Sequence, residues 1–102
     1  MNKTYIKGFL EDIVVFLIRE KGESYGYELT RMVEERTKGV ISINEGALYP
    51  VLHKLEQKGV LISEFKTASN RPRKYYRLSA GYSQQSEDDV RTYIAALQAI
   101  FN

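Results

Sequence analysis

The feature that most constrains this chain is a capped amphipathic helix followed almost at once by two β-prone runs, between residues 44 and 77. Ser42 and Asn44 are both good helix N-caps, and Ser42 with Glu45 has the spacing of a capping box. Gly59 is expected to end the helix, since glycine readily adopts the backbone conformation found after a helix C-terminus. Apolar residues at helical spacing form one face: Leu48, Val51, Leu52 and Leu55.

Pro50 lies well inside that helical pattern. A proline removes one backbone hydrogen bond and clashes with the preceding turn of a helix, at a cost of about 3 kcal/mol. Two alternatives therefore stay open at this point. Either the regular helix begins only near Tyr49, or the helix starts earlier and tolerates the proline.

The two β-prone runs span residues 60–65 and 74–78, and the second is rich in aromatic residues. Residues 67–73 between them contain serine, asparagine and proline, which predicts a turn of more than two residues with Asn70 at positive φ. The stretch 66–77 has no acidic residue, so the hairpin is expected to have a cationic tip. Its five basic residues are Lys66, Arg71, Arg73, Lys74 and Arg77.

Two further helices are predicted ahead of this segment. The first begins near Phe9 and ends near Gly22, and Ser24 is a suitable N-cap for the second, which ends before Gly39. The run 40–43 is too short to decide between a turn and a brief strand. Three short helices and then a hairpin are the succession of a winged helix-turn-helix. The predicted fold class is therefore mainly α with a small β-hairpin.

A last amphipathic helix is predicted after a break at residues 79–81. Its apolar face could fold back on its own domain or pair with a second copy of the chain. Pairing is favoured, because a complete winged domain leaves little surface to cover and a dimer doubles the number of DNA contacts. The chain is accordingly divided into a DNA-binding domain, residues 1–79, and a C-terminal dimerisation helix, residues 80–102. The predicted dimer-interface residues are Val90, Tyr93, Ile94, Leu97, Ile100 and Phe101.

Composition argues against several classes of protein. The net charge is only +2, so the local basic cluster, and not the global charge, points to nucleic acid. With no cysteine and a single histidine, we expect no enzymatic activity, no metal site and no cofactor. The apolar run 13–18 is far shorter than the ~20 residues of a membrane span, and the N-terminus lacks a signal-peptide pattern. A cytoplasmic protein without membrane contacts is expected.

The predicted DNA contacts lie on the third helix and on the tip of the hairpin. A helix fits the major groove, while a charged loop meets the backbone or the minor groove. Tyr49 and His53, one turn apart, can donate hydrogen bonds to phosphates or base edges, although Tyr49 could instead pack into the core. Arg71 and Arg73 flank a proline, and their guanidinium groups suit phosphate oxygens. The full set is Asn44, Glu45, Gly46, Tyr49, His53, Lys54, Arg71, Arg73 and Lys74.

Several stretches, in this order and at this spacing, resemble the PadR family of transcriptional regulators over about residues 9–81. They are YGYEL at 25–29, EGALYPVLHKLE at 45–56, GVL at 59–61 and NRPRKYYRL at 70–78. The resemblance implies a homodimeric winged-helix repressor in which the helix around Tyr49 reads an inverted-repeat operator. It also implies that the C-terminal helix supplies the dimer contacts and that Pro50 belongs to the family pattern.

The same resemblance implies a small-molecule effector of unknown identity as a partner besides double-stranded DNA. Some small members of the family hold planar drugs with tryptophan, and this chain has no tryptophan, so that pocket is not carried over. Residues 79–81 read Ser-Ala-Gly where the family commonly has threonine and then lysine and glycine. The short, single C-terminal helix resembles the smaller subgroup.

Two rival functions stay open. A winged helix can serve as a protein-interaction module without specific DNA binding, in which case the basic tip would meet an acidic partner. A ligand-sensing enzyme or small-molecule carrier is the second rival, and the lack of catalytic groups counts against it.

Overall fold

The computed structural model of the protein describes residues 8–81 and 85–102. Within these ranges four helices and three strands form a mainly α fold with one small antiparallel sheet. In chain order they are α1 (Leu10–Lys21), β1 (Ser24–Tyr25), α2 (Gly26–Arg36), α3 (Glu45–Gln57), β2 (Leu61–Ala68), β3 (Arg71–Leu78) and α4 (Gln85–Phe101). The predicted winged helix-turn-helix is confirmed, with α2 and α3 as the helix pair and the β2–β3 hairpin as the wing.

Helix α1 ends where the sequence predicts, because Gly22 takes a backbone conformation that other residues avoid. Its φ is 95°, and its N–H donates to the carbonyl oxygen of Ile18 at 2.7 Å. The bond satisfies one of the carbonyl groups that the end of a helix leaves free. Glu11 in the first turn and Lys21 in the last turn also complement the helix dipole.

The predicted N-cap of α2 is wrong. Ser24 belongs to β1, which pairs antiparallel with β3 in the strand order β1-β3-β2, and Tyr25 occupies the N-cap position without a side-chain cap bond. Ser24 is fully buried, and its Oγ donates to the Glu28 carboxylate at 2.7 Å. Pairing with β3 holds the serine backbone in the sheet, so its side chain links β1 to the first turn of α2.

Helix α3 begins at Glu45 and is capped by Asn44, which decides between the two predicted caps. The Asn44 Oδ1 atom accepts a hydrogen bond from the backbone N–H of Ala47 at 2.8 Å. The helix runs on through Pro50, so of the two alternatives the helix tolerates the proline. The bond that Pro50 cannot make is the one to the carbonyl of Gly46, in the first turn.

Residues 40–43 connect α2 to α3 as a bend and not as a strand. Thr37 fixes this connection: its Oγ1 donates to the carbonyl oxygen of Val33 at 2.8 Å and accepts from the N–H of Ile41 at 3.0 Å. Ile43 is buried in the core. The connection therefore ties the two helices together through both polar and apolar contacts.

The wing is longer, and its turn shorter, than predicted. Only Ser69 and Asn70 separate the strands, and both have positive φ (53° and 63°). This is the two-residue hairpin turn whose backbone twist matches that of the flanking strands. Positive φ at Asn70 is confirmed, whereas the turn of more than two residues is wrong, because the β2–β3 ladder continues to the turn. Pro72 fits within β3 since β1 reaches that strand only at Tyr75 and Tyr76.

The core lies between the first three helices and the base of the sheet. The stripe of α3 is buried as predicted, with Val51 partly buried, and Tyr76 at 3% exposure is the tyrosine of the hairpin that joins the core. Burying each large apolar side chain contributes about 1.5–3 kcal/mol. The buried apolar residues are Leu10, Val14, Val15, Leu17, Ile18, Leu29, Val33, Ile43, Leu48, Leu52, Leu55, Leu61 and Tyr76.

Helix α4 lies against α1, where the rings of Phe9 and Tyr93 are 5.5 Å apart. Leu97 is half-buried, but Phe101 is 83% exposed, and other apolar side chains of α4 are exposed with it. These are Tyr93, Ile94 and Ile100. The side chain of Val90 falls outside the described residues. In a single chain α4 therefore carries apolar surface that the described residues do not cover.

Gly26 and Gly46 offer a matched test of the packing between α2 and α3. A Cβ atom added at Gly26 would lie 2.9 Å from Cζ and Oη of Tyr49, whereas one added at Gly46 would meet Asn44 Oδ1 at an ordinary 3.4 Å. Gly46→Ala should stabilise the protein by about 0.4–1 kcal/mol, because alanine reduces the entropy of the unfolded chain. Gly26→Ala should be less stable than Gly46→Ala, as measured by chemical denaturation.

The double variant Gly26→Ala/Tyr49→Ala is the control, because it removes the ring that the new Cβ would meet. Adding Gly26→Ala to a Tyr49→Ala background should cost less than adding it to the wild type. Equal free energies of unfolding for the two single alanine variants would contradict this packing.

Candidate nucleic-acid interface

The N-terminal half of α3 presents the predicted reading surface. Asn44, Glu45 and Gly46 are exposed around its first turn, and Tyr49 and His53 are exposed further along. Residues three and four apart lie on the same side of a helix, so the structure brings these five side by side. The backbone N–H groups of the first turn and the donors of Tyr49 and His53 suit phosphate oxygens and base edges.

Tyr49 contacts the start of α2 on one side of its ring and is exposed to solvent on the other. Its side chain is 45% exposed, so the alternative in which it packs into the core does not hold. Its ring edge lies so close to Gly26 that a side chain there would meet it. The absence of a side chain at Gly26 therefore lets the tyrosine rest on the start of α2 with part of its ring exposed.

Lys54 points away from this surface and toward α1. Its Nζ lies 3.4 Å from Glu11, whose other carboxylate oxygen lies 3.3 Å from the Nζ of Lys58. Partial burial alone would raise the pKa of Glu11, but the two ammonium groups hold that pKa below its ordinary value. Such exposed pairs contribute little to stability, so the two lysines are held near α1 only weakly.

Lys74 bridges the wing and α3. Its Nζ lies 3.3 Å from the Glu56 carboxylate and 5.5 Å from the centre of the Tyr76 ring. Glu56 also accepts a hydrogen bond from the hydroxyl of Ser63, and this bond, together with Lys74, holds the pKa of Glu56 below its ordinary value. Burial raises the pKa of Tyr76. The network fixes the base of the wing against the helix that carries Tyr49.

The pleat of the wing divides its five basic residues between two faces. Alternate residues of a strand point to opposite sides, and buried Tyr76 identifies the side that packs on α3. We call this side the inner face of the wing. Lys74, two residues before Tyr76, lies on the inner face, and the other four basic residues lie on the outer face. They are Lys66, Arg71, Arg73 and Arg77.

Two of the outer basic residues are paired with carboxylates. Lys66 Nζ is 2.7 Å from Glu23, and Arg77 Nη1 is 3.3 Å from Glu64. Residues 66–77 contain no acid of their own. Folding nevertheless brings Glu64 next to the cations across the hairpin and Glu23 through β1, so the outer face carries less net charge than the linear sequence implies.

Arg73 is held by aromatic rings. Its guanidinium carbon lies 4.7 Å from the centre of the Tyr25 ring and 5.7 Å from that of Tyr27, within the range of cation–π attraction. Tyr75 packs edge-on against Tyr25 at 5.1 Å. This support for the wing was not predicted from the sequence, since the contacts depend on β1. The two tyrosines of the motif at 25–29 were the one sequence feature that could have suggested an aromatic contact for a wing arginine.

Arg71 stands beside the turn with its side chain exposed. Within the described part of the chain, no carboxylate lies within ion-pair distance of it. It is thus the wing arginine best placed to meet an external anion, while Arg73 and Lys74 already have intramolecular contacts.

A cleft of about 360 Å³ separates α4 from α1 and α2. Its walls are mainly apolar, and several charged side chains stand at its rim. The lining residues are Asp12, Ile13, Phe16, Leu17, Arg19, Val33, Arg36, Thr37, Ile41, Arg91 and Ile94. Ile94, one of the predicted dimer-interface residues, lines this cleft.

Two structural features relevant to other functions are absent from the described residues. No helix within them is long and apolar enough to cross a membrane. Residues 8–81 and 85–102 also contain no group of three or more histidine, cysteine, aspartate or glutamate side chains arranged to hold a metal ion.

Comparison with known proteins identifies a matching protein family and a related sequence. The model of the transcriptional regulator PadR-like family matches residues 14–85. An uncharacterised protein of Lysinibacillus sphaericus, protein X, is 38% identical over 76 residues, which span 74% of this chain and 69% of that protein.

Solved structures share the fold along almost the whole chain. A transcriptional regulator from Clostridium thermocellum superposes with a TM-score of 0.79 at 24% identity, covering 98% of this chain and 94% of that one. A PadR family transcriptional regulator from Eggerthella lenta superposes with a TM-score of 0.74 at 27% identity, covering 95% and 82%. The family match and these relatives lead to one conclusion: the chain belongs to the PadR-like family of transcriptional regulators, which are DNA-binding proteins and not enzymes.

Proposed function

We propose that this protein is a sequence-specific repressor that binds an inverted-repeat operator as a homodimer and blocks transcription sterically. The observation that carries the proposal is the exposed half of α3, with Tyr49 and His53, standing next to a wing whose Arg71 is unpaired among the described residues. A helix of this kind fits the major groove, and the wing then reaches the flanking backbone or minor groove.

Each predicted contact has a specific role in this proposal. Tyr49 and His53 face base edges or phosphates, and the first turn of α3, with Asn44, Glu45 and Gly46, enters the groove first. Arg71 grips a flanking phosphate. Lys54 and Lys74 contact the backbone after exchanging an exposed carboxylate for a phosphate oxygen. Arg73 contacts the backbone from its position beside the rings of Tyr25 and Tyr27.

The dimer is proposed from the apolar surface of α4. Tyr93, Ile94, Ile100 and Phe101 are exposed in the single chain, and Leu97 is half-buried among them. Several large apolar side chains exposed together on one helix usually mark an interface. A second α4 packed on it, with Val90 included, would bury these side chains and carry two reading helices to two half-sites.

Regulation by a small molecule is proposed at the cleft beside α4. Its volume of about 360 Å³ lies within the range of small-molecule sites, and its walls are apolar with charged groups at the rim. A ligand of matching character would be mainly apolar, with a polar or charged group directed at the rim. It would act by changing how α4 sits against α1, and thus the spacing of the two reading helices in the dimer.

The competing function is a winged-helix protein-interaction module. Its wing would then bind an acidic protein, and binding to duplex DNA would be weak at every salt concentration. DNA is favoured because the exposed donors of α3 and the exposed Arg71 belong to a helix and a wing that are tied together through Lys74 and Glu56, a combination that groove and backbone contacts use.

Removing the charge of Arg71 tests the wing contact. Arg71→Gln should weaken binding to every duplex and reduce the slope of log K against log salt by about 0.9, because one phosphate is no longer neutralised. Fluorescence anisotropy with a labelled duplex at several salt concentrations gives both quantities. Arg31→Gln is the matched control, since Arg31 pairs with Glu35 on α2, and it should leave the slope unchanged. Identical slopes for the two variants would contradict the wing contact.

A charge placed in the apolar face of α4 tests the dimer. Leu97→Glu should reduce the mass in solution from that of two chains to that of one, because a buried unpaired carboxylate is costly. Light scattering after size-exclusion chromatography measures the mass. Gln98→Glu, one residue away on the exposed side, is the control and should remain dimeric. A Leu97→Glu protein that is folded and keeps the mass of two chains would contradict this interface.

A further inference from the structure

Phe65 is a large apolar side chain that lies outside the hydrophobic core. It is 73% exposed, although it lies on the inner face of the wing, the side that buries Leu61 and Tyr76. In the register of the hairpin, Ser63 faces Tyr76 at the base and Phe65 faces Lys74 one step nearer the tip. The core packing therefore ends just before Phe65.

The neighbours of Phe65 on the inner face are polar, and the cation Lys74 lies directly opposite it. Lys66 and Arg71 lie on the outer face of the same hairpin, so the wing carries cations on both of its faces near this ring. Pro72 is also exposed on the inner face, two residues nearer the tip than Lys74. An aromatic ring and a proline on a hairpin with cations on both faces suit a polyanion that also offers apolar surface, which describes the sugar walls and base edges of a DNA groove.

Another copy of this chain is a poorer occupant for this surface. The apolar residues of α4, which the proposed dimer buries, belong to a helix held against α1 by the contact between Phe9 and Tyr93. Phe65 belongs instead to the wing, on the side of the sheet that packs on α3. The two apolar surfaces are thus carried by different elements. Lys74 of one copy would also face Lys74 of the other if the inner faces of two wings met.

We propose that Phe65, with Pro72 beside it, makes an apolar contact with duplex DNA in the minor groove that flanks the site read by α3. The inference rests on the proposed DNA-binding function and adds a contact that is independent of charge. Phenylalanine and proline are among the side chains that wedge against base steps in the minor groove. Because flexible pyrimidine–purine steps deform most easily, the wing then contributes preference for those steps in the operator flanks.

The first test separates an apolar contact from an ionic one. Phe65→Ala should weaken binding to a duplex selected from a random pool by about tenfold, the equivalent of about 1.4 kcal/mol. The salt dependence of binding should stay that of the wild type, because no charge is removed. The thermal midpoint should also stay unchanged, since the ring is exposed in the free protein. Ile62→Ala is the matched control, as Ile62 is 41% exposed on the outer face of the same strand.

The second test places a probe at the contact. The chain has no tryptophan, so Phe65→Trp introduces a single indole fluorophore. On adding the selected duplex, its emission should be quenched and its access to acrylamide should fall, as expected for an aromatic ring placed against bases. The indole introduced by Ile62→Trp should change little under the same conditions.

Three results would overturn the inference. Phe65→Ala could bind the duplex as tightly as the wild type, or the indole at that position could stay fully accessible in the complex. Phe65→Ala could also convert a dimer to a monomer, which would place the ring between copies of the chain. If the wild-type protein bound no duplex at low salt, the proposed function would fail together with this inference, a result distinguishable from failure of the Phe65 contact alone.

Discussion

Burial of one face of α3 is the constraint on which the rest of the structure depends. Leu48 and Leu52 are almost fully buried against the other helices and the base of the sheet. Because a helix that buries one face must present the opposite one, this packing directs Tyr49 and His53 outward. The remaining features near the site hold that arrangement in place: the Asn44 cap at one end, and the wing tethered through Glu56 along the side.

The electrostatics of the interface follow a consistent pattern. Most basic side chains near α3 and the wing have an exposed carboxylate or an aromatic ring as partner, as Lys54 has Glu11 and Lys66 has Glu23. Such exposed pairs cost little to break, so phosphates can replace the carboxylates. The net charge of the whole chain is only +2, yet the fold gathers cations around α3 and the wing, where their partners are exposed.

The parts of the fold that were predicted from the sequence depend on local chemistry. Gly22 ends α1 because it accepts positive φ, and Asn44 caps α3 because its side chain reaches an N–H three residues on. The apolar stripes of the helices predicted the core for the same reason, since their spacing is a property of one helix. The order of three short helices and a hairpin predicted the winged arrangement, which the structure and the PadR-like match confirm.

The parts that were missed depend on pairing between distant segments. Strand β1 is two residues long and carries no pattern of its own, so Ser24 was predicted to be a helix cap. The same strand brings Glu23 to Lys66 and Tyr25 to Arg73, which no count of charges along the wing could show. The division of the basic residues between two faces likewise required the strand register.

Selection of duplexes by the wild-type protein tests the central claim most directly. A pool of random-sequence duplexes would be bound at two salt concentrations, and the retained molecules would be sequenced. The account predicts an inverted repeat with half-sites about one helical turn, or ~10 base pairs, apart, and retention that falls steeply as salt rises. Retention without a common sequence, or no retention even at low salt, would contradict a sequence-specific dimer.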